Sequence, residues 1–135
     1  MPDRPVAILI TGSRKWNDEQ KIREVLERFK GRDAVILYGC APGADRIARD
    51  IAHRMSCESY GKPHRTSFRP FPADWDKHGR KAGPMRNQEM VDCLCGWRDN
   101  NSECHVFAFP LPDSRGTWDC VNRAKAAGFR VEVIR

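Results

Sequence analysis

Four segments of the chain combine small residues with groups that bind anions. They cover residues 12–14, 39–45, 79–87 and 114–117. A loop of small residues that opens a helix exposes backbone N–H groups and the positive end of the helix dipole, and both attract phosphate. Arg14 and Arg86 add guanidinium groups that can hold a phosphate through two hydrogen bonds. The pattern therefore predicts a site for a phosphorylated ligand.

Two further side chains in this set have two interpretations each. Asp45 either caps the helix that follows it or accepts hydrogen bonds from ribose hydroxyls. Trp75 follows a proline-rich stretch, and it either stacks on a base or pins its loop to the core. The predicted ligand-binding residues are Gly12, Ser13, Arg14, Gly39, Cys40, Ala41, Gly43, Ala44, Asp45, Trp75, Pro84, Arg86, Asn87, Ser114, Gly116 and Thr117.

Catalytic and metal-binding groups are less clearly marked. The catalytic candidates are the carboxylates of Asp45, Asp74 and Asp119, and nothing in the sequence selects one of them. The chain has six cysteines, and a zinc site at Cys93, Cys95, Cys104 and His105 is conceivable. The spacing of those residues departs from the common structural zinc patterns. We therefore expect reduced thiols, no metal and no cofactor.

The elements that must position these residues alternate in type. Apolar runs followed by helical periodicity give the order β-α-β-α-β-loop-α-β-α-β. Asn17 and Gln20 resemble a capping box for the first helix, which Gly31 closes. Other helices are predicted from Ala44, from Pro84 and over 117–127. Strands are predicted at 6–11, 35–38, 64–68, 104–109 and 131–134, and an irregular loop at 70–75.

This alternation predicts an α/β fold with a Rossmann-like, doubly wound, mainly parallel five-stranded sheet and helices on both faces. No linker or repeat divides residues 1–135, so we expect one domain. Ligands of such sheets bind beyond the carboxyl ends of the strands. The four anion-binding segments all follow strands or lie between strand and helix at that end, so we expect them to form one crevice.

Charge and hydropathy limit the partners. The net charge of +6 favours anionic ligands such as nucleotides, phosphorylated sugars or nucleic acid. Lys and Arg are scattered along the chain, which argues against a dedicated nucleic-acid arm. The longest apolar run, Val6–Ile10, is too short to cross a bilayer or to form the core of a signal peptide. We expect no membrane partner and a cytoplasmic location.

Several of these motifs together resemble the SLOG superfamily, which joins the DprA/SMF proteins with the Lonely-guy proteins, and within it the small YspA-like branch. The matching segments, in the branch's order, are 12–14, 39–45, 71–75, 82–87 with Met90, and 114–117. The resemblance implies a Rossmann-like sheet. It also implies a nucleotide or nucleotide-derived ligand, such as an ADP-ribose-like signal.

The sequence departs from that superfamily in ways that bear on activity. Lonely-guy enzymes cleave a base from a nucleoside monophosphate and carry a catalytic glutamate three residues after the threonine that Thr117 matches. Cys120 stands at that position, and Asp119 one residue earlier would face about 100° away on a helix. Cys40 likewise replaces the second glycine of its loop.

These observations leave three functions open. The first is a binding domain for a nucleotide-type ligand that acts as a sensor, sponge or regulator. The second is a hydrolase of an N-glycosidic or phosphoester bond. The third is nucleic-acid binding of the DprA kind. A homo-oligomer is compatible with each of them.

Overall fold

The computed structural model describes residues 4–135, so residues 1–3 of the predicted domain lie outside the description. Strands and helices alternate along the chain, as predicted. The strands are β1 (Val6–Gly12), β2 (Ala34–Gly39), β3 (Thr66–Phe71), β4 (Glu103–Phe109) and β5 (Val131–Val133). The helices are α1 (Glu19–Glu27), α2 (Ala44–Glu58), α3 (Trp75–His78), α4 (Ala82–Asp99) and α5 (Arg115–Ala126), with a short 3-10 turn at Gly79–Lys81.

The five strands form one sheet in the order β3-β2-β1-β4-β5, and every neighbouring pair is parallel. Val6 of the central strand is in register with Ala34 on one side and Glu103 on the other. The predicted fold class is confirmed. The direction of strand order reverses between β1 and β4, which is the point where doubly wound sheets open a crevice.

A hydrophobic layer covers each face of the sheet. Ile8 and Ile10 point to one side of β1 and pack with α1 and α2, whereas Leu9 points to the other side and packs with α4. All three side chains are fully buried. A strand buried on both faces needs apolar residues at successive positions, which explains the uninterrupted run that begins β1. In residues 4–135 we find no helix with the length and apolar character to cross a membrane.

The predicted capping box of α1 is wrong by one position. Asp18 is the N-cap, and its Oδ1 accepts a hydrogen bond from Lys21 N at 3.3 Å. Gln20 donates to Glu24 at 3.2 Å instead of reaching back to the helix start. Asparagine and aspartate serve equally well as caps, so their order in the sequence did not decide between them. The helix also ends at Glu27, before the turns that lead to Gly31.

The largest differences from the predicted elements lie between residues 64 and 84. Strand β3 starts at Thr66 and continues through Pro70 to Phe71, in the segment predicted as an irregular loop. A proline is tolerated there because β3 is an edge strand, where one row of N–H positions has no neighbouring strand. Trp75 begins the four-residue helix α3, and α4 begins at Ala82, ahead of Pro84.

Candidate ligand-binding crevice

A crevice of about 680 Å³ opens beyond the carboxyl ends of β1 and β4. Its walls are the loop after β1, the start of α2, α3, the first turns of α4, and the segment from the end of β4 into α5. The volume lies within the usual range for small-molecule sites. The crevice also lies at the reversal of strand order, as expected for this fold.

Most of the sequence-predicted ligand-binding residues line this crevice. They are Gly12, Ser13, Arg14, Ala41, Asp45, Trp75, Pro84, Arg86, Asn87, Ser114, Gly116 and Thr117, and the catalytic candidate Asp119 joins them. Gly39, Cys40, Gly43 and Ala44 do not line it, and neither does Asp74. The structure thus brings together the four predicted segments, although not every residue within them.

Eight lining residues are absent from the predicted ligand-binding set, although Gly83 and Arg115 lie within the predicted segments and Met90 belongs to the matching motif. The eight are Thr11, Lys15, Gly83, Met90, Leu111, Pro112, Asp113 and Arg115. The helical spacing of α4 could have identified two of them, Gly83 and Met90. Gly83, Arg86, Asn87 and Met90 are three or four residues apart along α4, so one face of the helix presents all four. The segment 111–113 carried no such signal, because only the fold brings the turn after β4 to the crevice.

The start of α5 presents unpaired backbone donors to the crevice. Ser114 occupies the N-cap position, but its Oγ accepts from Leu111 N at 2.8 Å and does not cap the helix. Within the described part of the chain, no group accepts a hydrogen bond from the N–H of Gly116 or Thr117. These two residues line the crevice. Together with the helix dipole they form a site suited to an anion.

The loop after β1 is held against the start of α2. Ser13 N donates to Phe109 O at 2.9 Å, and Ser13 O accepts from Ala44 N at 3.1 Å. Gly43 has a φ of +77°, and a Cβ there would overlap the backbone of Ser13 and Arg14. Gly43 and Ala44 therefore shape the crevice by bringing two loops together rather than by facing a ligand.

Arg86 and Asp45 lie over the Cα atom of Gly39. A Cβ on Gly39 would overlap Arg86 Nη1 and would lie 2.7 Å from Asp45 Oδ2. The sequence predicts Gly39 as a ligand-binding residue, which requires the space beside its Cα atom to be free. In the structure, the buried carboxyl of Asp45 and the hydrogen-bonded guanidinium of Arg86 use that space, so this part of the prediction is wrong.

Asp45 is a buried carboxyl with incomplete hydrogen bonding. It is only 5% exposed, and Oδ2 accepts from Ala41 N at 3.4 Å. Among the described residues, Oδ1 has no hydrogen-bond partner. Burial raises the pKa of Asp45 to about 6, although the charges of Arg86 and Arg14 and the Ala41 N–H act in the opposite direction. The group thus changes protonation close to neutral pH. The interpretation of Asp45 as a helix cap is also wrong, because Gly43 is the N-cap of α2.

Asn87 connects three walls of the crevice. Its Oδ1 accepts from Arg86 Nε at 3.0 Å, and its Nδ2 donates to Gly116 O at 3.2 Å and to Asp119 Oδ2 at 2.9 Å. Arg86 Nη1 also donates to Phe71 O at 3.3 Å. The guanidinium of Arg86 is therefore fixed in position at the floor of the crevice, between β3 and α5.

Asp119 is held by partners within the protein. Its Oδ2 accepts from Arg123 Nε at 2.9 Å as well as from Asn87. Burial raises its pKa, but the hydrogen bonds from Arg123 and Asn87 outweigh burial, so the pKa of Asp119 lies below its usual range. Asp74 has a structural role outside the crevice, because its Oδ1 caps α3 by accepting from Lys77 N at 3.1 Å. Of the three predicted catalytic carboxylates, only Asp45 is buried at the crevice with an unpaired oxygen.

Trp75 stands at the rim of the crevice. Its side chain is 49% exposed, and its six-membered ring lies against Gly83, where a Cβ would be 3.2 Å from the indole. The Cζ of Arg14 lies 5.8 Å from the centre of the ring. The interpretation of Trp75 as an anchor in the core is therefore wrong. Its stacking on a base stays a prediction.

Cysteines do not contribute to the crevice. All six are free thiols, and in residues 4–135 no three His, Cys, Asp or Glu side chains are placed to hold a metal ion. Cys93, Cys95, Cys104 and His105 are thus not assembled into a site. Cys120 is fully buried in the layer beneath α4 and α5, and burial raises its pKa to about 12. The position that matches the Lonely-guy glutamate lies in the hydrophobic core.

Comparisons with known proteins show which family this chain is similar to. A model of the YspA, cpYpsA-related SLOG family matches residues 6–78. The Gene 61 protein of Mycobacterium phage D29 is 38% identical in an alignment of 130 positions that covers 92% of each chain. The X-ray structure of DNA processing protein A (DprA) from Streptococcus pneumoniae aligns with 97% of this chain at 12% identity and a TM-score of 0.47. The present chain spans 61% of the length of that structure.

Proposed function

The chain belongs to the YspA, cpYpsA-related SLOG family, and on that basis we propose that it binds a nucleotide or nucleotide-derived ligand, as a single domain. The observation that carries the proposal is the convergence of two unpaired N–H groups, at Gly116 and Thr117, with the guanidinium groups of Arg14 and Arg86 in one crevice. Backbone donors at a helix start and nearby guanidinium groups suit phosphate.

The balance of charge in the crevice supports an anionic ligand. Asp119 is paired with Arg123, and the charge of Arg86 offsets the burial of Asp45 only in part. The other charged lining residues are Arg14, Lys15, Arg115 and Asp113. The three cations exceed the one anion, and a site walled by protein concentrates such a field on a bound phosphate.

The shape of the crevice supports a ligand with a base as well as a phosphate. Trp75 is half exposed at the rim, whereas Gly116 and Thr117 lie at the start of α5. A base stacked on Trp75 would leave the phosphate to the α5 donors and Arg14. A ligand that carries both groups, such as a nucleoside phosphate or an ADP-ribose-like molecule, therefore fits the lining better than inorganic phosphate does.

We assign a binding role, as a sensor, sponge or regulator, ahead of an enzymatic one. The residue that matches the Lonely-guy glutamate is Cys120, which packs in the core and offers neither a carboxylate nor access to a ligand. Asp119 cannot replace it without giving up its bonds to Asn87 and Arg123.

Isothermal titration with AMP, ADP, ADP-ribose and inorganic pyrophosphate tests the proposal. We expect at least one nucleotide to bind, and Arg14→Gln to weaken that binding by about tenfold or more, because a charge-assisted hydrogen bond to phosphate is lost. Arg130→Gln is the matched control, since Arg130 is exposed just before β5, at the opposite end of the sheet. The absence of heat from every ligand at about 1 mM, a concentration that detects even weak sites, would refute the proposal.

Hydrolysis of the ligand is a second candidate function, and the unpaired carboxyl of Asp45 favours it. A buried acid whose pKa lies near 6 can give or take a proton at neutral pH. Incubation with nucleoside monophosphates, followed by chromatography, should then yield free base and ribose 5-phosphate, and Asp45→Asn should abolish the products. Unchanged nucleotide under excess protein would exclude this activity while leaving the binding role intact.

A further inference from the structure

A surface outside the crevice combines exposed aromatic rings with cations. It lies where α2 packs on the edge strand β3, and it consists of Arg49, His53, Tyr60, Arg65 and Phe68. We refer to these five residues as the edge surface. None of them lines the crevice.

Tyr60 and Arg65 form one end of the edge surface. Tyr60 follows the C-terminus of α2 and is 78% exposed, more than any other large hydrophobic side chain in the described residues. The Cζ of Arg65 lies 5.1 Å from the centre of the Tyr60 ring. The guanidinium thus keeps the ring in place while the rest of the ring faces solvent.

Phe68 and His53 form the middle of the edge surface. Phe68 is 37% exposed on β3, and its ring lies 4.0 Å from the His53 ring with an angle of 32° between the planes. His53 is fixed in turn by Tyr38, whose hydroxyl lies 3.3 Å from His53 Nε2. The Phe68 ring is therefore supported by the His53 ring while more than a third of it stays exposed.

Arg49 extends the edge surface along α2. It lies four residues before His53, so the two side chains are neighbours on one face of the helix. Its ion pair with Asp50 is 2.9 Å long, but both side chains are about half exposed, at 46% and 60%. Exposed ion pairs of this kind contribute little to stability, so Arg49 can exchange Asp50 for another anion at little cost.

The backbone of β3 is poorly suited to pairing with another protein strand. Ala34 N donates to Arg65 O at 3.0 Å, so the backbone groups of Thr66, Phe68 and Pro70 face away from β2. The N–H of Thr66 already donates to Ser59 Oγ at 3.0 Å, and proline has no N–H. Only Phe68 offers a donor on the outer side of this strand. Pairing of β3 with a second copy of this chain is also disfavoured, because each chain carries a net charge of +6 and the two would repel each other.

We propose that the edge surface binds single-stranded nucleic acid. Bases stack on Tyr60 and Phe68, while Arg49 and Arg65 hold the phosphates. Arg65 directly precedes β3 and Phe68 lies three positions further along, or about 10 Å, so the Tyr60–Arg65 pair and the His53–Phe68 pair follow one another along the edge where α2 packs on β3. Rings that accept any base, together with guanidinium groups that follow the backbone, are the two components of sequence-tolerant binding to single strands. The cations are scattered in the sequence, and the packing of α2 on β3 gathers them.

Fluorescence anisotropy with labelled oligothymidylate and oligouridylate tests this proposal and compares DNA with RNA. We expect Tyr60→Ser to raise the dissociation constant by about tenfold, within the range measured for the loss of one base–aromatic stack. Tyr60→Phe is the matched control, and it should bind as the wild type does because the ring is kept. Tyr60 is so exposed that neither change threatens the fold, whereas Phe68→Ser should be checked by its melting temperature. The affinity should also fall steeply as salt rises.

The proposal is overturned if neither oligonucleotide binds at about 0.1 mM protein in low salt. It is also overturned if Tyr60→Ser and Tyr60→Phe bind equally well, or if Arg115→Gln in the crevice abolishes binding. Complete displacement by polyglutamate at equal charge would mean that charge alone attracts the ligand, and it would overturn the proposal too. Continued binding by Arg115→Gln together with loss in Tyr60→Ser would support it.

Discussion

Arg86 and Asp45 approach each other over the bare Cα atom of Gly39. The two residues come from α4 and α2, and the end of β2 passes beneath them with no side chain between. Burial disfavours the charge of Asp45, and Arg86 offsets that penalty only in part, so the carboxyl keeps a raised pKa. The floor of the crevice thus carries the charge of Arg86 beside a carboxyl with a raised pKa. An added methyl group at Gly39 would disturb both side chains.

Gly39→Ala should destabilise the protein by about 1–3 kcal/mol, because the added methyl group must displace the buried carboxyl of Asp45 and the hydrogen-bonded guanidinium of Arg86. Urea unfolding followed by circular dichroism measures the loss. Gly96→Ala is the matched control, since Gly96 is exposed within α4 with nothing near its added Cβ. That change should stabilise by up to about 1 kcal/mol through helix propensity. Equal effects of the two changes would contradict the packing at Gly39.

Asp45→Asn should alter how stability depends on pH. The pKa of Asp45 is 3.8 as a free group and about 6 in the fold, so folding disfavours the ionised form. In the wild type, the stability that this carboxyl contributes to the fold is therefore fully present below about pH 4 and is lost as the pH rises through about 6. The free energy of unfolding of the variant, relative to that of the wild type, should therefore rise by up to roughly 3 kcal/mol between pH 4 and pH 7.5. Urea unfolding at both pH values measures this change, and parallel stability curves would contradict it.

Asn87→Ala should destabilise the protein by about 2–4 kcal/mol. Asn87 is 3% exposed, and its side-chain amide makes three hydrogen bonds. Its removal deprives Arg86, Asp119 and the Gly116 carbonyl of one hydrogen bond each. Thermal and urea unfolding both report the loss. Asn122→Ala provides the control, because Asn122 is exposed on α5 and its removal should change stability by less than about 0.5 kcal/mol.

Trp75→Ala should distinguish the contribution of the base to ligand affinity from that of the phosphate. We expect the affinity for a nucleotide to fall by about fivefold to one hundredfold, and the affinity for inorganic pyrophosphate to stay the same. Trp75→Phe should retain most of the nucleotide affinity because it keeps a ring at the rim. Isothermal titration measures all three proteins. An equal loss for nucleotide and pyrophosphate would mean that Trp75 shapes the crevice instead of stacking on a base.

The predictable part of this molecule is the part that local chemistry determines. The apolar run at Val6–Ile10, the small residues after it and the Ser114–Thr117 segment each contain their own signal, and together they locate the crevice. The class of the fold follows from the alternation of strands and helices. These predictions need only neighbours in sequence and the rule that parallel strands share one carboxyl edge.

The unpredictable part depends on partners that are distant in sequence. Gly39 looks like a ligand-facing glycine until Arg86 is found beside it, 47 positions further along the chain. Asp119 looks like a free carboxylate until Asn87 and Arg123 are found to hold it. Pro70 excludes a central strand but not an edge strand, and the order of strands decides between them. Each case requires the three-dimensional contact itself.

The register of Val6 with Glu103 has a consequence for how this protein is made. A parallel pair cannot form by a hairpin, so β1 must wait for β4, nearly a hundred residues later, before the two walls of the crevice meet. The α5 donors at Gly116 and Thr117 follow later still. A nascent chain that contains only the elements from β1 to α3 therefore lacks the walls that β4 and α5 provide. The proposed ligand site can therefore form only after α5 has been made, and a ligand present in the cell can stabilise only a chain that already includes α5.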